Sequence, residues 1–148
     1  MPETICNCAA IRQAARRVTR LYDQALAPVG LRITQLPILA SLAATGPATV
    51  GALAERMLMD RATLGHNLRP LEADGLVTMS VGADRRSRVV LLTPAGCQKL
   101  AQAKPLWRAA QNAFETGFGT DESAALRATM TRVARLDFPS ITGPPHPS

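Results

Sequence analysis

Three groups of side chains in this sequence have the types and spacing to do chemistry. Cys6 and Cys8 form a Cys-x-Cys pair at the start of the first helix, where helix-end amides stabilise a thiolate. Thiols so placed react with oxidants or capture a soft metal or metalloid, with Cys97 or a thiol of a second chain completing the site. The plainer alternative is that they pack the helix end as small apolar side chains. In the run GADRRSR, Arg85, Arg86 and Arg88 crowd a short turn suited to lie beside a phosphate-lined minor groove. Asp84 in that turn is expected to hold an arginine in shape by a charge-assisted hydrogen bond rather than to touch nucleic acid. The third group lies in DRATLGHNLRPLEADG. At about 100° per residue, Leu64, Leu68 and Leu71 form one stripe, with Ala62, His66 and Arg69 opposite and Thr63, Gly65 and Asn67 flanking. Arg69 and Asn67 suit bases or phosphates, Thr63 a phosphate or a thymine methyl, His66 a base edge or phosphate, and Arg61 a backbone phosphate.

The elements that position these groups follow from periodicity and punctuation. Apolar residues at three- and four-residue steps from Cys8 to Ala27, interleaved with Arg12, Arg16, Arg17 and Arg20, predict an amphipathic first helix. Thr34 is expected to cap a second helix, Thr49 a third and Asp60 a fourth, with Gly75 as the stop of the fourth and Pro70 as a kink near its middle. Leu76 to Val81 and Val89 to Leu92 read as the strands of a hairpin whose tip is the arginine-rich turn. Thr93 with Pro94 begins a long fifth helix, bent at Pro105, and Thr120 or Asp121 caps a last helix reaching Leu136. The remainder, DFPSITGPPHPS, is too rich in proline to fold alone. The fold class is mainly α with a small antiparallel hairpin, in the order of a winged helix-turn-helix, whose second helix enters the major groove.

Composition narrows the function. A chain of 148 residues, 47% hydrophobic and 19% charged, fits one compact domain, and a net charge of +6 favours an acidic partner such as nucleic acid. Residues 47–93 hold six arginines against five acids, so binding by that lobe must rely on sorted faces rather than bulk charge. Three cysteines without a secretion signal argue for reduced thiols, a cytoplasmic protein and no membrane partner. No phosphate-binding glycine loop, HExxH or GxSxG occurs, and His66 and His146 are too few and too far apart for a histidine metal centre, so no enzyme is expected. A nonspecific nucleoid or RNA-binding module is the alternative that the charge also allows.

The run TVGALAERMLMDRATLGHNLRPLEADGLV followed by ADRRSRVVLLTPAG resembles the MarR family of dimeric bacterial repressors, over roughly residues 8–136. Its most specific pieces are the approach to LEADGLV and the Asp-x-Arg of Asp84 and Arg86. The resemblance implies dimerisation helices at 8–30 and 94–136 and a winged lobe at 34–93, within one domain over 1–148 whose proline-rich residues 137–148 are expected to form a flexible tail. It also implies a homodimer on a pseudo-palindromic double-stranded operator, released by an effector. Leu58 stands where related corners often carry glycine. Aligned on Tyr22, Cys8 falls where the peroxide-sensing branch places its reactive cysteine, and Arg12 replaces that branch's second tyrosine. The family's other effector site, for small aromatic compounds, is expected between lobe and dimer helices, with Arg16 and Arg20 to pair with a carboxylate and Trp107 as an apolar wall.

Overall fold

The computed structural model describes residues 6–140, so residues 141–148 of the expected tail, His146 among them, lie outside the described residues. The chain divides into two compact units, one extending to Ala113 and the other beginning at Phe114. In order, the first contains α1 (Asn7–Leu26), a single 3-10 turn (Ala27–Val29), α2 (Leu36–Thr45), β1 (Ala48–Thr49), α3 (Val50–Arg56), α4 (Arg61–Ala73), β2 (Val77–Val81) and β3 (Arg88–Leu92). Helix α5 (Pro94–Phe118) crosses the boundary, and α6 (Thr120–Ala134) belongs to the second unit. The chain is mainly helical, with one small antiparallel sheet of order β1–β3–β2.

The core of the first unit joins Leu26 of α1, Ile38 and Leu39 of α2, Leu53 of α3 and Leu64, Leu68 and Leu71 of α4, all fully buried. Val77 and Val90 close it from the sheet. Burying leucines of this kind is worth about 1.5–3 kcal/mol each, which fixes the face that α4 turns inward. The first helix behaves differently from its periodicity: only Tyr22 and Leu26 are buried along it, and Ile11 remains 43% exposed.

Three expected caps are present. Thr49 accepts the Ala52 N–H at 3.1 Å, Asp60 accepts the Thr63 N–H at 2.7 Å, and Thr93 accepts the Gly96 N–H at 3.0 Å. Two are corrected. Thr34 does not cap α2; instead the Gln35 and Leu36 N–H groups both donate to the Arg32 carbonyl, while the nearly buried Gln35 Oε1 accepts the Arg32 N–H at 3.0 Å. The Gln35 side chain closes this turn from within, so a hydroxyl cap is unnecessary. Thr120 and Asp121 are already helical in α6, and the N-cap is Gly119 at φ +111, a conformation that excludes side chains. Asp121 and Glu122 then sit in the first turn, where the helix dipole favours anions.

The strand β1 was not legible: two residues carry no alternation, and only the pairing of Ala48 with Val90 and Thr49 with Val89 defines it. Proline interrupts neither long helix in sequence. Pro70 falls late in α4, where it removes the donor to the His66 carbonyl, and Pro105 lies within α5.

Helices α3 and α4 end in the same motif. After α4, Gly75 at φ +70 lets its N–H reach the Glu72 carbonyl and the Leu76 N–H reach Leu71. After α3 the same pair of bonds runs from Leu58 to Glu55 and from Met59 to Ala54, and Leu58 takes φ +50. A leucine in this left-handed conformation costs about 1–2 kcal/mol. The two end bonds hold it there, and its 56% exposure means that nothing in the core depends on its side chain.

Candidate nucleic-acid interface

With three leucines of α4 turned inward, Thr63, His66 and Arg69 are exposed, and Asn67 is half-buried. The sequence places this face correctly, but the side chains differ in what they have free. His66 and Arg69 make no hydrogen bond or ion pair among the described residues. Thr63 spends its hydroxyl proton on Asp60 Oδ2 at 2.8 Å, which leaves the oxygen as an acceptor only. A phosphate needs a donor, so the thymine-methyl role suits Thr63 better. Asn67 leans to Met59, its Nδ2 lying 3.9 Å from Sδ. Arg61 folds back over α3: a Cβ added at Gly51 would lie 2.9 Å from its Nη2. The glycine therefore makes room for the guanidinium beside the start of α4.

The Thr63 N–H, and after it the Thr63 hydroxyl, hold the Asp60 carboxyl below its ordinary pKa. A depressed folded-state pKa contributes stability that is complete above the unfolded value, about 3.9 for aspartate, and is lost as pH falls below it. Asp60→Asn keeps an N-cap acceptor but removes the charge. We expect the variant to have a slightly lower Tm than the parent at neutral pH and the gap to close in acid, as measured by thermal melts across pH.

The hairpin tip is braced from within. The Gly82 N–H donates to the Ser87 carbonyl, and the Ser87 N–H and hydroxyl both donate to the Asp84 carbonyl, each at 2.9 Å. Asp84 Oδ1 accepts from the backbone N–H of Arg86 at 3.1 Å, so the expected bond to a guanidinium is instead a bond to the chain itself. This two-residue reach is the aspartate turn that competes with regular structure. It leaves Arg85, Arg86 and Arg88 exposed, with no ion pair among the described residues.

The remaining sites are separate from this surface and from one another. Arg16 and Arg20 line a shallow hollow on α1 with Arg12, Thr19, Asp23 and Gln24. Trp107 does not join them, because it stands on α5 beside α2. There Ile33, Leu36, Pro37, Ala40 and Leu100 form a cavity of about 400 Å³ whose cations are Lys104 and Arg108. Those two were missed, although their positions three residues before and one after Trp107 were in plain view. Cys6 is the N-cap of α1, its Sγ accepting the Ala9 N–H at 3.4 Å; Cys8 is exposed in the first turn, and Cys97 is exposed on α5. Among the described residues no group of three or more His, Cys, Asp or Glu side chains is placed to hold a metal ion. No helix there is long and apolar enough to cross a membrane.

A family model described as "MarR family" matches residues 29–87, from the start of the turn before α2 to the hairpin tip. The M. tuberculosis transcriptional regulator MosR, crystallised in complex with DNA, is 36% identical, covering 88% of this chain and 99% of its own, with a TM-score of 0.74. The chain belongs to the MarR family. A second solved structure, the transcriptional repressor CouR bound to a 23-mer DNA duplex, is 28% identical over 91% of this chain and 97% of that one, with a TM-score of 0.79. YwoH, an uncharacterized HTH-type transcriptional regulator of Bacillus subtilis (strain 168), is 30% identical over 83 residues. That match covers 56% of this MarR-family chain and 61% of YwoH, so the chain spans about three-fifths of that relative.

Proposed function

We propose that this MarR-family chain is a cytoplasmic, homodimeric transcription regulator, a repressor that binds a pseudo-palindromic duplex operator and is released by an effector. The observation that carries the reading is that α4 and the β2–β3 hairpin, the wing, both present donors with no partner among the described residues: His66 and Arg69 on one, Arg85, Arg86 and Arg88 on the other. Such donors match base edges in the major groove and phosphates beside it. The DNA-bound states of MosR and CouR support the same partner. Dimerisation is supported by apolar side chains left open in each unit, Ile11 on α1 and Met130, Leu136 and Phe138 in the second. His66→Ala and Arg69→Ala are expected to change which duplexes the protein enriches from a random-sequence pool. Equal losses on enriched and scrambled DNA would reduce both to phosphate contacts.

For the effector, the cavity at Trp107 favours a small aromatic acid, since apolar walls with two cations at one helix suit a ring bearing a carboxylate. Trp107 is the only tryptophan, so its fluorescence reports the cavity directly. Benzoate is expected to quench it saturably and to release DNA, and Lys104→Ala/Arg108→Ala protein to do neither. The second reading, a thiol switch at Cys6 and Cys8, is supported by the exposed Cys8 and by the amide donated to Cys6. Peroxide or arsenite would then release DNA from the parent but not from Cys6→Ser/Cys8→Ser protein.

A further inference from the structure

Beside α4 the turn between α1 and α2 forms a notch of about 400 Å³ lined by Gly30, Arg32, Thr34 and Gln35 on one side and His66, Asn67, Pro70 and Asp74 on the other. The sequence assigns Arg32 no role, and the helix cap expected of Thr34 is not made, which leaves its hydroxyl uncommitted. We propose that this notch holds a DNA backbone phosphate, with the Arg32 guanidinium and the Thr34 hydroxyl as its donors, so that the turn before α2 forms a third contact alongside α4 and the wing. The proposal rests on the DNA-binding reading above and extends it to a segment that neither α4 nor the wing contains.

Three observations carry it. The first is chemical: Arg32 and Thr34 are exposed, and their side chains make no hydrogen bond or ion pair among the described residues, so all their donors are free for a ligand. The second is rigidity. Gln35 Oε1 takes the Arg32 N–H at 3.0 Å, the Arg32 carbonyl takes two N–H groups, and Asp23 Oδ1 takes the Ile33 N–H at 2.7 Å. A turn tied in this way fixes the backbone from which the Arg32 side chain emerges, which reduces the ordering cost of binding. The third is polarity. The notch holds one acid, Asp74 at the C-cap of α4, and one guanidinium, that of Arg32, with neither in an ion pair among the described residues. An anion entering the notch is therefore drawn to Arg32 and away from Asp74. Because phosphate contacts fix register without reading sequence, the notch would set how deep α4 sits in the groove while leaving base choice to α4 itself.

The geometry also makes Asp23 a positioning residue, since it holds the Ile33 backbone and touches no DNA in this account. Asp23→Ala should weaken binding through Arg32 alone, so the Asp23→Ala/Arg32→Ala double variant should bind no worse than Arg32→Ala. Asp23→Asn, which keeps the acceptor oxygen, should restore parental affinity.

The test is a salt titration by fluorescence anisotropy, on a duplex enriched by the parent protein from a random pool and on a scrambled duplex of equal length. Arg32→Ala is expected to weaken both by the same factor and to lower the slope of log K against log salt by about 0.9 for each phosphate lost. Arg32→Lys, which keeps the charge, should keep the slope. An Arg32→Ala protein with parental affinity and slope, while Arg86→Ala protein is weakened, would overturn the notch and leave the DNA-binding reading intact. A loss confined to the enriched duplex would overturn the phosphate assignment in favour of base contact. Parent protein without affinity for either duplex would overturn both readings.

Discussion

Gly96→Ala is expected to destabilise the first unit by about 3 kcal/mol, the upper range of what overpacking costs. Gly96 is buried in the first turn of α5, and a Cβ there would strike the Leu76 carbonyl oxygen and lie 2.6 Å from Leu92 Cδ1. Leucine can turn aside, but the carbonyl cannot. It accepts the Thr93 N–H at 3.1 Å, and Thr93 Oγ1 in turn donates to the Gly75 carbonyl at 2.6 Å while accepting from Gly96. The end of α4, the start of β2 and the start of α5 thus meet through one hydroxyl and one glycine. The gain of about 1 kcal/mol that alanine brings to a helix interior cannot offset a backbone collision. Gly117→Ala is the control, because nothing lies within 4 Å of its Cβ position. Urea unfolding should show Gly117→Ala unchanged or more stable and Gly96→Ala strongly weakened; similar midpoints for the two would contradict the packing.

Arg86→Ala is expected to weaken operator binding by about 1–3 kcal/mol, the scale of a good DNA contact. The side chain makes no hydrogen bond or ion pair among the described residues, and its backbone is pinned by Asp84 Oδ1, so the guanidinium emerges from a fixed point on the tip. Asp84→Ala should therefore cost less than Arg86→Ala, since it loosens the turn but leaves the cation. Asp84→Asn, which retains the acceptor oxygen, should cost less still. Anisotropy titrations of the three variants at several salt concentrations check the order. Parental binding by Arg86→Ala across the titration would remove the wing from the mechanism.

Most of the winged lobe was legible because its signals are local. Thr49, Asp60 and Thr93 announce helix starts by one side-chain oxygen each, and the stripe of Leu64, Leu68 and Leu71 fixes which face of α4 looks outward. What failed to show was set by tertiary closure. Gln35 closes the turn that Thr34 was expected to cap, and Gly119 takes the cap from Thr120. The two residues of β1 exist as a strand only through β3. At the site, the exposed face was readable but the use of its donors was not: Thr63 is turned to Asp60, and Asp84 binds backbone rather than guanidinium. Arg16, Arg20 and Trp107 share charge and aromatic character that suits one ligand, yet they line different hollows, because complementarity of type says nothing about proximity.

The central claim, specific reading of duplex DNA by a dimer, is tested most directly by anisotropy of the parent protein on a duplex enriched from a random pool, against its scrambled form and a single strand. The account predicts two chains per duplex and a preference of about a thousandfold or more for the enriched duplex at moderate salt. Equal affinity for all three, with the same steep salt slope, would contradict it and make the chain a nonspecific nucleic-acid-binding module.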